Sequence, residues 1–224
     1  MNAHTPAAVL WDMDGTLIDS EPYWIDAEQE LCTKFGVAWT HEDGLSLVGN
    51  PLTTSAEVLR ARGVLLEVDE IIDYLITRVT MKVRERAPWQ DDAFRLLNDV
   101  LAAGIPCALV TMSYKQLADA LLARVPEAFA VVVTGDEVAR GKPDPEAYLL
   151  AAKRLGVDIE RCVAIEDSPA GIGSALASGA RTIGVQRLIQ IPSQPGLSRL
   201  NSLDGLTVDG LRKVAEGEVI DQLA

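Results

Sequence analysis

The chain has 224 residues, 48% of them hydrophobic, long enough to bury a substantial core as one domain or as a domain with an inserted module. Its formal net charge of −13, from 20 Lys and Arg against 33 Asp and Glu, argues against nucleic acid as a partner, because phosphate backbones are met by clustered basic residues. Three scattered cysteines without a CxxC, and only two histidines, exclude a zinc knuckle, a disulfide scaffold and a histidine metal site. There is no basic-then-apolar leader, and no apolar stretch reaches the length of about eighteen residues that a membrane span needs, so a soluble, cytoplasmic chain with no membrane partner is expected.

In chain order, Ala7 to Leu10 is a short apolar run and reads as a buried strand. Asp12 and Asp14 follow it two residues apart, a spacing that in extended backbone points both side chains the same way. Gly15 permits a sharp exit. Taken alone, a polar turn explains this run almost as well. Helical periodicity then begins at Tyr23 and runs through Trp24, Ala27, Leu31 and Phe35, with Ser20 or Asp19 as cap and Gly36 as terminator. His41 to Gly44 reads as polar loop, Thr53 or Thr54 begins a second helix, and Val68 to Glu85 is a longer one with Ile71, Ile72, Leu75, Ile76 and Val79 as its buried stripe. Nothing between residues 19 and 87 has the form of a parallel-sheet unit.

Pro88-Trp89-Gln90 marks a boundary, after which strands and helices alternate. Helices are expected over Asp91 to Ala103, Lys115 to Arg124, Glu146 to Leu155 and from about Ala170. The strands between them are Pro106 to Val110, Ala130 to Val133, Cys162 to Ile165 and Thr182 to Val185. Residues 186 to 210 read as loop and Leu211 to Leu223 as a terminal helix. This alternation predicts an α/β core with a parallel sheet covered on both faces, and ligands at the carboxyl ends of its strands.

Those strand ends are polar. The first delivers Asp12 and Asp14, the second Thr111, Met112 and Ser113, the third leads to Gly141-Lys142-Pro143-Asp144-Pro145, and the fourth delivers Glu166-Asp167-Ser168. Asp12, Asp14 and Asp167, with Glu166 beside them, can hold a hard divalent cation, and Mg²⁺ would offset their repulsion of an incoming phosphate. Lys142 and Thr111 offer a positive charge and a hydroxyl to a transferring phosphoryl group. One carboxylate can attack phosphorus, and a second can protonate the leaving alcohol. Singly, each cluster has a plainer reading: Thr111 and Ser113 as a helix cap, Lys142 as a surface lysine, Glu166-Asp167 as the cap of the next helix.

Together the motifs Asp12-Met13-Asp14-Gly15-Thr16-Leu17, Thr111, Gly141 to Pro145 and Glu166-Asp167-Ser168 make the chain resemble the haloacid dehalogenase superfamily, in its phosphatase and β-phosphoglucomutase-like branch. The resemblance implies a Rossmann-like catalytic core over residues 1–16 and 88–224, with an all-helical cap at 17–87 hinged near Leu17 to Asp19 and Ala87 to Trp89. It implies Asp12 as nucleophile and Asp14 as general acid/base that also gives its backbone carbonyl to Mg²⁺. Thr111 and Lys142 would hold the phosphate, Asp167 would bind the metal directly, and Glu166 directly or through water. Glu21, Trp24, Asn50, Met112 and Ser113 are the weaker candidates for substrate contact, and Tyr23 is more readily cap core. Sugar-phosphate mutases of the family carry an Arg after the cap glycine, whereas Gly49-Asn50-Pro51-Leu52 has none. The expected activity is therefore Mg²⁺-dependent hydrolysis of a small phosphorylated metabolite by a monomer or weak dimer, with a β-phosphoglucomutase-type phosphomutase as the alternative.

Overall fold

The computed structural model describes residues 5–223; residues 1–4 and 224, the extreme ends of the expected core, lie outside them. β1 (Ala8–Trp11) is buried throughout because it runs through the middle of a six-stranded parallel sheet. With β2 (Cys107–Val110), β3 (Val131–Val133), β4 (Cys162–Glu166), β5 (Arg181–Val185) and β6 (Leu197–Leu200), the order is β3-β2-β1-β4-β5-β6. Alternate residues of the central strands enter two apolar layers, as a period of two dictates. Val9, Trp11, Leu109, Val163 and Ile165 share one layer with α5 (Asp91–Ala102), α6 (Lys115–Leu122) and α9 (Val208–Ala215). Ala8, Leu10, Ala108, Val110 and Ala164 share the other with α7 (Glu146–Leu155) and α8 (Pro169–Ser178). The fold is thus the expected α/β class, a Rossmann-like sheet covered on both faces.

The chain crosses from β1 to β2 on one side and later returns to β4 on the other. The carboxyl end of β1 is therefore the switch point where open parallel sheets leave a crevice. Between β1 and α5 stand α1 (Glu21–Lys34), α2 (His41–Leu45), α3 (Leu52–Ala61) and α4 (Val68–Glu85), with no strand among the described residues of this segment. α4 buries the anticipated stripe, Ile71, Ile72, Leu75, Ile76 and Val79. The chain leaves and re-enters the sheet region side by side: Asp19 N donates to Pro88 O at 2.8 Å and Gln90 N to Leu17 O at 2.9 Å. An antiparallel bridge joins Ile18 to Trp89 between them.

Three expectations are corrected. The supposed loop at His41 to Gly44 is α2, because Thr40 and Asp43 form a reciprocal capping box that satisfies its first amides. Residues 186 to 210 contain β6, whose Ser198 and Arg199 hide the strand in sequence by breaking its apolar run. Arg199 is accepted there because its guanidinium meets Asp221 at 2.7 Å and Ile191 O at 3.1 Å. The terminal helix is shorter and earlier than expected. α9 ends at Ala215, Gly217 takes φ +100, and the tail bonds along the outer edge of β6, Arg199 N to Ile220 O and Gln222 N to Arg199 O, each at 2.8 Å. That pairing covers an edge that would otherwise offer free backbone groups.

α5 is fastened to the far side of the sheet by Asp92. Its carboxylate accepts from Arg187 at 2.7 and 3.0 Å, from Ser202 Oγ at 2.8 Å and from Leu203 N at 2.8 Å. Burial opposes ionisation, but these donors outweigh it and hold Asp92 at about 2. Its stabilisation is thus complete above the free-carboxyl value of about 3.9 and is lost as pH falls through about 2. Asp92→Ala leaves the buried Arg187 guanidinium unpaired and is expected to cost about 3–5 kcal/mol in urea unfolding at pH 7, with the deficit shrinking as the titration approaches pH 2.

Candidate active site

Four strand ends deliver the expected residues to one place. Asp12 follows β1, its amide donating to Ile165 O of β4 at 3.1 Å, which ties the two central strands together at this point. Lys142 comes from the segment before α7, and its Nζ donates to Asp12 Oδ1 at 2.6 Å, Glu166 Oε1 at 2.6 Å and Val110 O at 2.8 Å. All three side chains are almost fully buried, so the ion pairs are little screened by solvent. Burial works against the Lys142 charge, yet Asp12 and Glu166 more than restore it and hold the ammonium well above its ordinary range. Lys142 is therefore no surface lysine.

Glu166 and Asp167 do not cap α8; Ser168 does, its Oγ accepting from Gly171 N at 3.0 Å. Oxygen atoms of Asp12, Glu166 and Asp167 lie within 4.8 Å of one another, a spacing that one small cation can bridge. Two glycines make room for them. A Cβ on Gly171 would fall inside the Glu166 carboxylate, and one on Gly15, which also takes φ +86, would fall inside that of Asp167. Burial, then the charge of Asp12, raises the affinity of Glu166 and of Asp167 for protons, and Lys142 offsets this only in part. Three carboxylates against one ammonium are short of positive charge, and hard oxygen donors in this arrangement fit Mg²⁺.

Asp14 parts company with Asp12. The strand stops at Trp11 and the chain folds back, Leu17 N and Ile18 N both reaching Met13 O, so the shared direction expected of extended backbone is lost. Asp14 instead accepts from Ser20 Oγ at 2.6 Å, Ser113 Oγ at 2.7 Å and Thr111 Oγ1 at 3.3 Å. Its carboxylate is outside the Asp12–Glu166–Asp167 group, so any share in a metal would fall to its backbone carbonyl. Burial is the main cause that raises its pKa, the Ser20 hydrogen bond opposes it, and the charge of Asp12 adds to the rise. Thr111 and Ser113 are not a helix cap either: α6 is preceded by Tyr114, and Thr111 Oγ1 accepts from Ser113 N at 2.9 Å.

A cavity of about 450 Å³ opens above these groups. Asp12, Asp14, Thr111 and Lys142 line its floor, with Met112 and Ser113 beside them. Glu21, Trp24 and Asn50 line it from the helical segment, so the weaker candidates also reach it. Tyr23 does not; its hydroxyl donates to Arg86 O at 3.2 Å, and it packs with the apolar core. Arg60 and Arg62 are engaged away from the cavity, with Glu67 at 3.3 Å and Asp43 at 3.1 Å.

Sequence reasoning passed over four residues here. Ser20 was read as a helix cap, but its hydroxyl is spent on Asp14. Tyr148 lies within the helix expected over Glu146 to Leu155, and its hydroxyl donates to Glu166 Oε1 at 2.6 Å. Thr16 Oγ1 donates to Asp167 Oδ1 at 3.3 Å. Glu28, 5% exposed, also lines the cavity, and its seven-residue spacing from Glu21 on one helix was the signal available.

The sheet, the helical insertion and this carboxylate–lysine cluster define a class. Over residues 9–185 the chain matches the family described as haloacid dehalogenase-like hydrolase, and it belongs to that family. It is 35% identical over 218 residues to hexitol phosphatase A of Escherichia coli K12, covering 95% of this chain and 97% of that protein. It is 32% identical over 182 residues to a phosphorylated carbohydrates phosphatase of Thermotoga maritima, covering 79% and 83% of the two chains. Its fold superposes on the crystal structure of CbbY from Rhodobacter sphaeroides in complex with phosphate, with a TM-score of 0.80, 28% identity and coverage of 92% and 98%.

If Glu166 is poised by the space over Gly171, Gly171→Ala should displace it without unfolding the chain. Titration calorimetry with Mg²⁺ is expected to show affinity reduced about 10–100-fold, with an unchanged circular dichroism spectrum.

Proposed function

We propose that this protein is a Mg²⁺-dependent phosphatase that hydrolyses the phosphate monoester of a small metabolite through an aspartyl-phosphate on Asp12. The observation that carries this reading is the placement of Asp12, paired with Lys142 at 2.6 Å, on the floor of a cavity that also presents Asp14. An oxygen of Asp12 attacks phosphorus, the ester P–O bond breaks, and Asp14 gives its proton to the departing alkoxide. Asp14, now a carboxylate, takes a proton from water as that water attacks the phospho-enzyme; inorganic phosphate leaves and Asp12 is restored. Lys142 and the Thr111 hydroxyl face the charge that gathers on the phosphoryl oxygens. Ser20 and Ser113 hold Asp14 in position for both proton transfers.

Mg²⁺ held by Asp12, Asp167 and Glu166, with the Asp14 carbonyl, would supply the positive charge that lets a phosphate approach this acidic floor. Residues 1–16 and 88–224 form the catalytic core, and 17–87 form a cap hinged at the paired crossings Leu17–Asp19 and Pro88–Gln90. The protein acts in the cytoplasm on free metabolites, as a monomer or weak dimer. No helix of the described residues is long and apolar enough to cross a membrane.

The phosphomutase alternative needs a grip on the far phosphate of a bisphosphate intermediate. Among the described residues lining the cavity Lys142 is the one cation, and Arg60 and Arg62, which follow the cap glycine, are paired elsewhere. The hydrolytic reading is therefore preferred.

Phosphate release from a panel of monoesters, measured with Mg²⁺ and with EDTA, tests the proposal. Release should vanish with EDTA. Asp12→Asn is expected to lower kcat by at least about 10³-fold, and release by that variant at the wild-type rate would refute the nucleophile. Asp14→Asn should lower kcat by about 10²–10⁴-fold. Conversion of β-glucose 1-phosphate to glucose 6-phosphate with little free phosphate would favour the mutase instead.

A further inference from the structure

α1 turns two carboxyl side chains into the upper cavity, Glu21 and Glu28, about two helical turns apart on one face. Glu28 lies deepest. Gly44 of α2 covers it, and even a Cβ there would sit only 3.2 Å from Glu28 Oε2. That oxygen accepts from Trp39 Nε1 at 3.2 Å, while Oε1 has no hydrogen-bond partner among the described residues. Trp24, Leu47 and Leu75 supply apolar wall around the two acids. The only cation lining the cavity among the described residues, Lys142, is already held by Asp12 and Glu166 at its floor.

This chemistry discriminates. A second phosphate or a carboxylate on the substrate would be buried against two acids with no counter-charge, which is costly. A hydroxyl would meet a carboxyl group with which it can hydrogen-bond as donor or as acceptor. The flat face of Trp24 suits the C–H side of a carbon chain. The cavity, at about 450 Å³, leaves room above a phosphate for several carbons.

We infer that Glu28, together with Glu21, recognises hydroxyl groups at the end of the substrate remote from the phosphate, so that the leaving group is an uncharged polyhydroxy alcohol and a second anionic group is refused. The inference rests on the phosphatase reading above and assigns its substrate class. Burial, with the charge of Glu21 behind it, pushes Glu28 up to about 8; burial, Asp14 and Asp19 push Glu21 up to about 7. The shift favours the protonated carboxyl, which can donate to a hydroxyl as well as accept from one. Glu28 is a specificity residue, remote from phosphorus.

The experiment measures kcat/KM by phosphate release with Mg²⁺ on glucitol 6-phosphate, fructose 6-phosphate, fructose 1,6-bisphosphate, phosphoglycolate and p-nitrophenyl phosphate. The wild type should favour fructose 6-phosphate over the 1,6-bisphosphate by at least about 100-fold. Glu28→Leu should lower the ratio of glucitol 6-phosphate to p-nitrophenyl phosphate by about 10–100-fold, and Glu28→Gln, which keeps a hydrogen-bonding side chain, by less than about fivefold. Trp39→Phe removes the partner of Oε2 but leaves the carboxyl, and should preserve the ratio.

Parity between monophosphate and bisphosphate or phosphoglycolate, an unchanged ratio in Glu28→Leu, or the same fall in Trp39→Phe would each overturn the assignment. If the wild type hydrolyses p-nitrophenyl phosphate and any of these results is found, the inference fails alone. If it hydrolyses none of the five compounds, the phosphatase reading fails with it.

Discussion

One buried ammonium holds the strand ends together. Asp12 follows β1 and Glu166 ends the neighbouring β4, and two carboxylates brought this close in a dry setting would repel each other or take up a proton. Lys142, with Nζ at 2.6 Å from each, makes the pair tolerable, and its third bond to Val110 O draws β2 into the same junction. Tyr148 adds a hydroxyl to Glu166 from α7, so both the central strands and the helix beneath them converge on a single charge balance. Buried pairs of this kind are weak evidence for stability, because desolvation consumes much of their attraction. Their value here is geometric: Asp12 is tied through Lys142 at the lining of the cavity.

The helical insertion is coupled to that floor at its root. α1 begins where Ser20 hydrogen-bonds Asp14, so the placement of the Asp14 carboxylate depends on where the insertion starts. The backbone pairing of Leu17 and Asp19 with Pro88 and Gln90 keeps the outgoing and returning chain together, and α4 packs on α6 beyond it. The same α1 that leaves Asp14 carries Glu21 and Glu28 up the cavity wall. Asp12 at the sheet, Asp14 two residues on and Glu28 sixteen residues on thus line one cavity from a single continuous stretch of chain.

Much of the fold could be read from periodicity. The bounds expected for α4, α7 and β2 agree with the structure to within a residue, because their apolar spacing is strong and Gly104, Pro106 and Gly156 punctuate them. Where the signal failed, a tertiary partner supplied what local sequence lacked. β6 carries Arg199, which only Asp221 from the chain terminus and Ile191 O make acceptable in a strand. α2 was the exception, since Thr40 and Asp43 announce it, whereas His41 to Gly44 reads as polar loop.

For the site, residue type and motif order were sufficient to nominate Asp12, Asp14, Thr111, Lys142, Glu166 and Asp167, since right-handed parallel connections bring strand ends to one edge whatever the intervening sequence. What the sequence by itself determined is therefore the kind of sheet and the residues along its working edge. Only the tertiary structure decided how they divide: Asp12 turns to Lys142, while Asp14, two residues on, turns to Ser20 and Ser113. The reason is that side-chain direction depends on where the strand ends and on which donors wait nearby. The same holds for Glu28, Tyr148 and Gly171, whose surroundings arise from distances across space that no spacing along the chain records.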